Sequence, residues 1–351
     1  MQQWMIYGAN GYTGQMIAQE ARKRGLDPIL AGRNRAAIER LATDLELDYR
    51  IFDLDDPKAL QQALEQVTLV AHCAGPFSRT GQPMINACLA THTHYLDITG
   101  EIDAFIAARA RHDEAVAADI IICAGVGFDV IPTDCIAACL KMALPDADTL
   151  ALGFDSRSGF SPGTAKTSIE GLGQGGKIRV KDKIVTVPLA CHSREIDFGN
   201  GVKHAVTIPW GDVATAWFST GIDNIEVFIP MAPSAAMRLR RLDWLRPLLR
   251  LPPVQILLKG LLGRRVKGPD IEQRRNARTW VWGEALNPSG KKITARVETA
   301  NAYDVTVEGM LFAVNYLLTN DSLVPGYFTP SRLLGERCIE ELPGSGKIVI
   351  S

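Results

Sequence analysis

No Cys-x-x-Cys pair occurs among the seven cysteines (Cys73, Cys88, Cys123, Cys135, Cys139, Cys191 and Cys338), and their number is odd. This disfavours a zinc ribbon or a thioredoxin-like centre, predicts no metal site, and fits a reduced, cytoplasmic setting. Cys135 and Cys139, four residues apart, can share a helix face and read as core. No basic leader opens the sequence, so no signal peptide is expected. No apolar run approaches the ~20 residues that would span a bilayer. A dominant charge is missing too: 38 Lys and Arg against 39 Asp and Glu leave a net −1. That excludes a globally basic nucleic-acid binder. Also absent are Tyr-x-x-x-Lys, the short-chain dehydrogenase pair, and Gly-x-x-x-x-Gly-Lys-[Ser/Thr], the phosphate loop of nucleotide triphosphatases.

What is present is an ordinary globular composition, 46% hydrophobic and 22% charged over 351 residues, long enough for two domains. Short apolar runs at Trp4–Tyr7, Pro28–Ala31, Tyr49–Phe52, Thr68–Cys73, Tyr95–Ile98 and Ile120–Ala124 read as buried strands. Between them, Thr13–Arg24, Arg35–Leu45 and Asp103–Ala117 read as crossover helices. The alternation predicts an α/β fold: an N-terminal Rossmann-type, doubly wound parallel sheet at about 1–140. Beyond it, glycine–serine clusters appear (Ser158–Thr164, Gly171–Gly176), and five of the six tryptophans lie past residue 200. Strands are expected at Lys183–Val187, Val202–Thr207, Ile225–Ile229 and Lys292–Ala300. These define a second, mixed α+β domain at about 145–320, with a helix at 330–342 packing back on the first.

The strongest local signal is Gly8-Ala-Asn-Gly11-Tyr-Thr-Gly14, placed between a strand and a helix. One glycine permits the tight turn, the next lets backbone approach a pyrophosphate, and the third allows close helix packing. The helix N-terminus adds free N–H groups and a positive dipole end. Gly8, Asn10, Gly11, Tyr12, Thr13 and Gly14 are therefore candidate cofactor residues. Where an NAD site usually carries an acid, this sequence has Arg33-Asn34 after Ala31-Gly32. Arg33 suits a 2′-phosphate, so NADP (NADPH) is the expected cofactor; the alternative is a surface arginine at a strand end. Asp53 either meets the adenine amino group or caps the helix near Pro57. Cys73-Ala74-Gly75-Pro76 forms the loop expected beside the nicotinamide ribose, with Cys73 a small core residue rather than a nucleophile.

Hydride transfer needs a positioned acceptor and usually a proton donor. Asp97, Glu101 and Asp129 are the catalytic candidates at strand ends, with His94, Tyr95 and Asp134 nearby; each carboxylate can equally cap a helix. His72, His92 and His94 could imitate a metal site but have no fixed fourth ligand. Between residues 236 and 278, twelve Arg or Lys face three acids amid Leu and Trp. Such a stretch suits an anionic membrane, an acidic carrier or a phosphate-rich substrate; the alternative is a solvated basic helix over a hydrophobic core.

The strings His94-Tyr-Leu-Asp97-Ile-Thr-Gly100-Glu101 and Gly125-Val-Gly127-Phe128-Asp129-Val-Ile-Pro132-Thr-Asp134 resemble saccharopine dehydrogenase-like oxidoreductases, including the trans-acting enoyl reductase type. So do the glycine loop, Ala31-Gly-Arg-Asn34 and Cys73-Ala-Gly-Pro-Phe77. The resemblance is specific over about 1–140 and looser at Ser161-Pro-Gly-Thr164 and Thr279-Trp-Val-Trp-Gly-Glu284. It implies an NADP-binding Rossmann domain with a second mixed domain over the cofactor. The resemblance implies no single substrate: members handle amino-acid imines, enoyl groups on carrier-bound lipids, or unknown compounds. The expected activity is hydride transfer to or from a C=N or C=C bond of a small-molecule or carrier-linked acyl substrate. The rival is a non-catalytic NADP-binding sensor or a membrane-surface protein. No nucleic-acid partner is expected; a peripheral contact with anionic membrane and a homodimer are compatible with the sequence.

Overall fold

The computed structural model describes residues 3–156, 171, 173–251, 253–255 and 277–351. Ser158–Thr164, Leu172 within the second glycine cluster, and residues 256–276 of the basic stretch lie outside the described residues. The chain divides into one unit of residues 1–131 and 303–335 and a second of 132–302 and 336–351.

The first unit is built on seven parallel strands: β1 (Trp4–Tyr7), β2 (Ile29–Gly32), β3 (Tyr49–Ile51), β4 (Leu69–His72), β5 (His94–Asp97), β6 (Ile121–Cys123) and β15 (Gly326–Phe328). They lie side by side in the order β15-β6-β5-β4-β1-β2-β3. The first, second and fourth strands are wholly buried, as expected for apolar runs covered on both faces. Between them run α1 (Tyr12–Lys23), α2 (Arg35–Leu45), α3 (Pro57–Leu64), α4 (Phe77–Thr91), α5 (Ile102–Arg109) and α6 (His112–Ala117). Local chemistry starts two of them: Asn34 accepts from the Ala37 amide, and Asp56 accepts from Lys58 and Ala59 ahead of Pro57. Strand order reverses between β1 and β4, the place where α/β sheets open a ligand crevice.

Three expectations need correction. The segment Asp103–Ala117 is two helices, not one. The break lets His112 accept the Tyr327 amide at 3.0 Å, tying α6 to β15. The helix Ala302–Thr319 belongs to the first unit rather than to a 145–320 domain. Its Val307, Met310, Leu311, Val314 and Leu317 join the core of Ile6, Leu30, Leu96 and Ile121. Finally, no single helix spans 330–342. Gly335, at φ +98°, ends the helix Pro330–Leu334, and a 3-10 turn follows at Cys338–Glu341 in the second unit.

The second unit holds a mixed sheet. Its strands are β7 (Thr149–Ser156), β8 (Gly176–Val180), β9 (Lys183–Val187), β10 (Ser193–Asp197), β11 (Val202–Thr207), β12 (Asn224–Pro230), β13 (Arg278–Leu286), β14 (Lys292–Ala300) and β16 (Val349–Ile350). They are ordered β10-β11-β12-β7-β13-β14-β16, with β8 and β9 attached through β12. The pairing of β12 with β7 is parallel; the other pairings along this path are antiparallel. The helix α7 (Ile131–Ala143) packs on one face, where a Cβ on Gly283 would meet Ile136 at 2.4 Å and Leu140 at 2.9 Å. Across the opposite face, Ala151, Ile196, Phe198, Phe228 and Trp282 cluster, and the Arg194 guanidinium lies 5.2 Å from the Trp282 ring centroid. Cys135 and Cys338 are buried with their sulfurs 3.5 Å apart. Because α7 sits this close to β13, Gly283→Ala is expected to lower the unfolding free energy by about 1–3 kcal/mol, measurable by chemical denaturation.

Candidate dinucleotide site

The glycine turn closes on the neighbouring strand end. Gly8, at φ +82°, occupies the left-handed region, and a Cβ there would meet the Ala74 amide at 2.8 Å. The Cys73 amide in turn donates to the Tyr7 carbonyl at 2.8 Å. A Cβ on Gly14 would lie 2.4 Å from the Gly8 carbonyl oxygen, so only glycine lets α1 start this close to the turn. Gly11 is the N-cap of α1 and offers no side chain; the first turn of that helix carries no acid. Its leading N–H groups have no intrahelical acceptors, which leaves a positive pole at the crevice. Asn10 accepts the Gln15 side-chain amide through its backbone carbonyl at 3.0 Å. The Tyr12 ring stands edge-on to Tyr303, 5.1 Å between centroids. Thr13 lies half-buried in the first turn of the helix.

Arg33, just past β2, is exposed, and no described residue forms an ion pair or hydrogen bond with its guanidinium. Asn34 beside it is committed to capping α2. Asp53 accepts the Asp55 amide at 3.2 Å, so Asp56, not Asp53, caps the helix at Pro57. Tyr7 donates to the Phe52 carbonyl at 3.4 Å. Burial, with Asp53 nearby, pushes its phenol up to about 12.

The loop after β4 is held from three directions. Gly75–Pro76 is a cis peptide. The Thr80 hydroxyl donates to the Ala74 carbonyl at 2.6 Å and lies 3.0 Å from the Pro76 carbonyl. His72 Nε2 lies 3.1 Å from the same hydroxyl, and burial holds that imidazole down to about 3, hence neutral. Glu101 spans the start of α4: its two carboxylate oxygens accept the Phe77 and Ser78 amides, each at 2.8 Å. The Cys73 thiol is pushed up to about 12 by burial and by Asp97, which makes it a packing residue rather than a nucleophile.

Asp97 is buried at the end of β5. One carboxylate oxygen accepts the Thr99 and Gly125 amides at 2.9 and 2.8 Å, and the other accepts the Tyr95 hydroxyl at 2.8 Å. Burial raises its carboxyl to about 6 against the lowering effect of these donors. Tyr95 is itself buried, with its phenol raised well above the ordinary range. Asp129 sits against Gly100, where a Cβ would come within 2.5 Å of its carboxylate. Burial lifts that carboxyl to about 6. Asp97 and Glu101 both hold backbone amides in place.

Other candidates disperse. His92 Nδ1 lies 2.8 Å from the Ala118 carbonyl, and His94 Nδ1 accepts the Ile121 amide at 3.0 Å. Asp134 accepts the Ser219 hydroxyl in the second unit. Residue patterns do not single out Thr80 or Thr99. The spacing Asp97-x-Thr99-x-Glu101 carries the signal, since Asp97 accepts the Thr99 amide and the Thr99 hydroxyl accepts the Glu101 amide, two successive local turns.

Residues 4–123 match the family described as the saccharopine dehydrogenase NADP binding domain. Over its N-terminal part the chain is similar to saccharopine dehydrogenase-like oxidoreductases. One of that name from Pongo abelii is 27% identical over 214 residues, covering 53% of this chain and 50% of the relative. A Mycobacterium tuberculosis member, named provisionally as a trans-acting enoyl reductase, is 29% identical over 188 residues, or 48% and 43% of the two chains. The match spans about half the length of these curated relatives. Saccharopine dehydrogenase (L-Glu forming) from Saccharomyces cerevisiae shares the fold, with a TM-score of 0.68 at 12% identity over 100% of this chain and 99% of that one.

If Asp97 is the brace described, Asp97→Ala orphans three buried donors and is expected to cost about 3–5 kcal/mol of stability. Asp97→Asn keeps an acceptor for the two amides and is expected to cost about 1 kcal/mol. Thermal unfolding of both variants checks the ranking.

Proposed function

We propose that this protein is an NADP(H)-dependent oxidoreductase that moves a hydride to or from a C=N or C=C bond. The substrate class we assign is a small-molecule or carrier-linked acyl compound, with an enoyl or acyl lipid as the leading example. The observation that carries the reading is a single arrangement at the β1–β4 switch. A helix N-terminus without a side-chain cap follows Gly11, the Gly8 turn packs on Ala74, and Arg33, unpaired among the described residues, stands at the end of the next strand. These residues fit a dinucleotide. The α1 amides suit the pyrophosphate, Arg33 suits a 2′-phosphate through charge-assisted hydrogen bonds, and Cys73–Pro76 would line the nicotinamide end. The family's NADP-binding domain and a relative's enoyl reductase name support the same reading.

The bound dinucleotide would supply or accept the hydride. The chain must bind and orient the partners and hold a proton for the atom that becomes basic. Asp129 is the carboxylate we assign to that proton, on its burial against Gly100 and a carboxyl raised to about 6; Asp97 and Glu101 hold backbone amides. The same commitment favours a second reading, a dinucleotide-binding sensor without turnover. Consumption of NADPH with imines or enoyl thioesters separates the two.

Arg33→Ala is expected to weaken NADPH binding roughly ten- to a hundredfold, since one charge-assisted hydrogen bond contributes ~1.5–3 kcal/mol. NADH binding should change little. Titration by cofactor fluorescence reads both, and an unchanged preference would overturn the assignment of Arg33. In the reductive direction, Asp129 donates only while protonated. Since its carboxyl is raised to about 6, kcat/KM should fall as pH rises through about 6, and Asp129→Asn should remove that limb from the pH profile.

A further inference from the structure

We propose that residues 233–251 form a docking surface for an anionic lipid bilayer. The segment follows α8 (Asp212–Thr220) and β12, and comprises α9 (Pro233–Leu242), a 3-10 turn (Asp243–Leu245) and α10 (Arg246–Leu249). One stripe faces the second unit. Ala236 is buried beside Ala190 and Val206, with Leu239 packed against them. The Arg240 Nε donates to the Ala190 carbonyl at 2.5 Å, and Asp243 accepts the Leu189 amide at 3.3 Å. Positions 236, 239, 240 and 243 follow the spacing of one helical face.

The outward stripe runs through 237, 241, 244, 248 and 251. Trp244 is 77% exposed, the most exposed large hydrophobic side chain among the described residues. Met237 is 55% exposed and Leu248 50%. Leu242 and Leu251 are exposed as well, so five of the fourteen exposed large hydrophobics fall within these fifteen residues. The segment contains five arginines and one acid, Asp243, which pairs with Arg246 at 3.6 Å. Arg238, Arg241 and Arg250 are exposed and pair with no carboxylate among the described residues.

This mixture selects the occupant. Arg241 lies on the apolar stripe itself, between Met237 and Trp244, so a dry protein interface would strip its water and would have to place a carboxylate opposite it. At a bilayer surface the guanidinium reaches lipid phosphate while Met, Leu and Trp settle at the acyl boundary. Tryptophan favours that depth. No helix among the described residues is long and apolar enough to cross a membrane, so the contact is peripheral.

The test is co-sedimentation of the full chain with phosphatidylcholine vesicles and with phosphatidylcholine–phosphatidylglycerol vesicles. Salt-sensitive pelleting with the anionic vesicles alone is expected. Trp244→Ala, and separately the triple variant Arg238→Glu, Arg241→Glu and Arg250→Glu, should each reduce it at least tenfold, while their unfolding temperatures and NADPH titrations match the parent. A blue shift of tryptophan emission on adding anionic vesicles, lost in Trp244→Phe, would support the same conclusion. No pelleting with anionic vesicles, or pelleting unaffected by both variants, overturns the proposal. So does a dimer in light scattering that Trp244→Ala dissociates, which would assign the surface to a second copy of this chain.

Discussion

The buried carboxylate of Asp97 links the crevice side of the parallel sheet. It receives the amide of Thr99 from its own loop, the amide of Gly125 from the loop after the next strand, and the Tyr95 hydroxyl from within its strand. Its backbone carbonyl also accepts the Val126 amide at 2.8 Å. Taking a carboxylate out of water is costly, and its raised proton affinity records that cost. Three directed hydrogen bonds offset it and leave the β5 and β6 loops one mutual arrangement. Glu101, four residues on, extends the linkage to the amides that open α4.

On that base the dinucleotide crevice is a problem of close approach. Gly8 meets Ala74, Gly14 meets the Gly8 carbonyl, and Gly100 meets the Asp129 carboxylate at distances no side chain tolerates. The Gly8 and Gly100 contacts each join a glycine to a loop that Thr80 or Asp97 restrains, so the absence of a Cβ and the presence of a polar tether act together there. Two positive features on this side of the sheet are the start of α1 and Arg33. Both suit an anionic ligand, and no acid in the first turn of α1 competes for that pole.

Much of the first unit was legible because its signals are local. Each strand is a short apolar run, the Asn34 cap lies one residue before its helix, and the glycine spacing sits within seven residues. The second unit was legible in its strands, Lys183–Val187, Val202–Thr207 and Lys292–Ala300 among them, but not in their order. Antiparallel pairing across loops of unequal length leaves no local mark. The Ala302–Thr319 helix was misplaced for a related reason: its apolar residues fit any core, and only contact with Ile6, Leu30 and Leu96 assigns it.

The sequence by itself pointed to a dinucleotide-binding domain, since a glycine turn, a helix start and an arginine at the next strand end form one contiguous pattern, and residues 4–123 match an NADP-binding domain family. It also marked 236–278 as a basic stretch mixed with Leu and Trp. Only the tertiary structure decided what the carboxylates do. Asp97 and Glu101 looked like chemical groups at strand ends, yet their partners lie 28 and 24 residues away in sequence. Strand order brings those amides within 2.8 Å, and a hydrogen bond of that length depends on three-dimensional position that no spacing along the chain encodes.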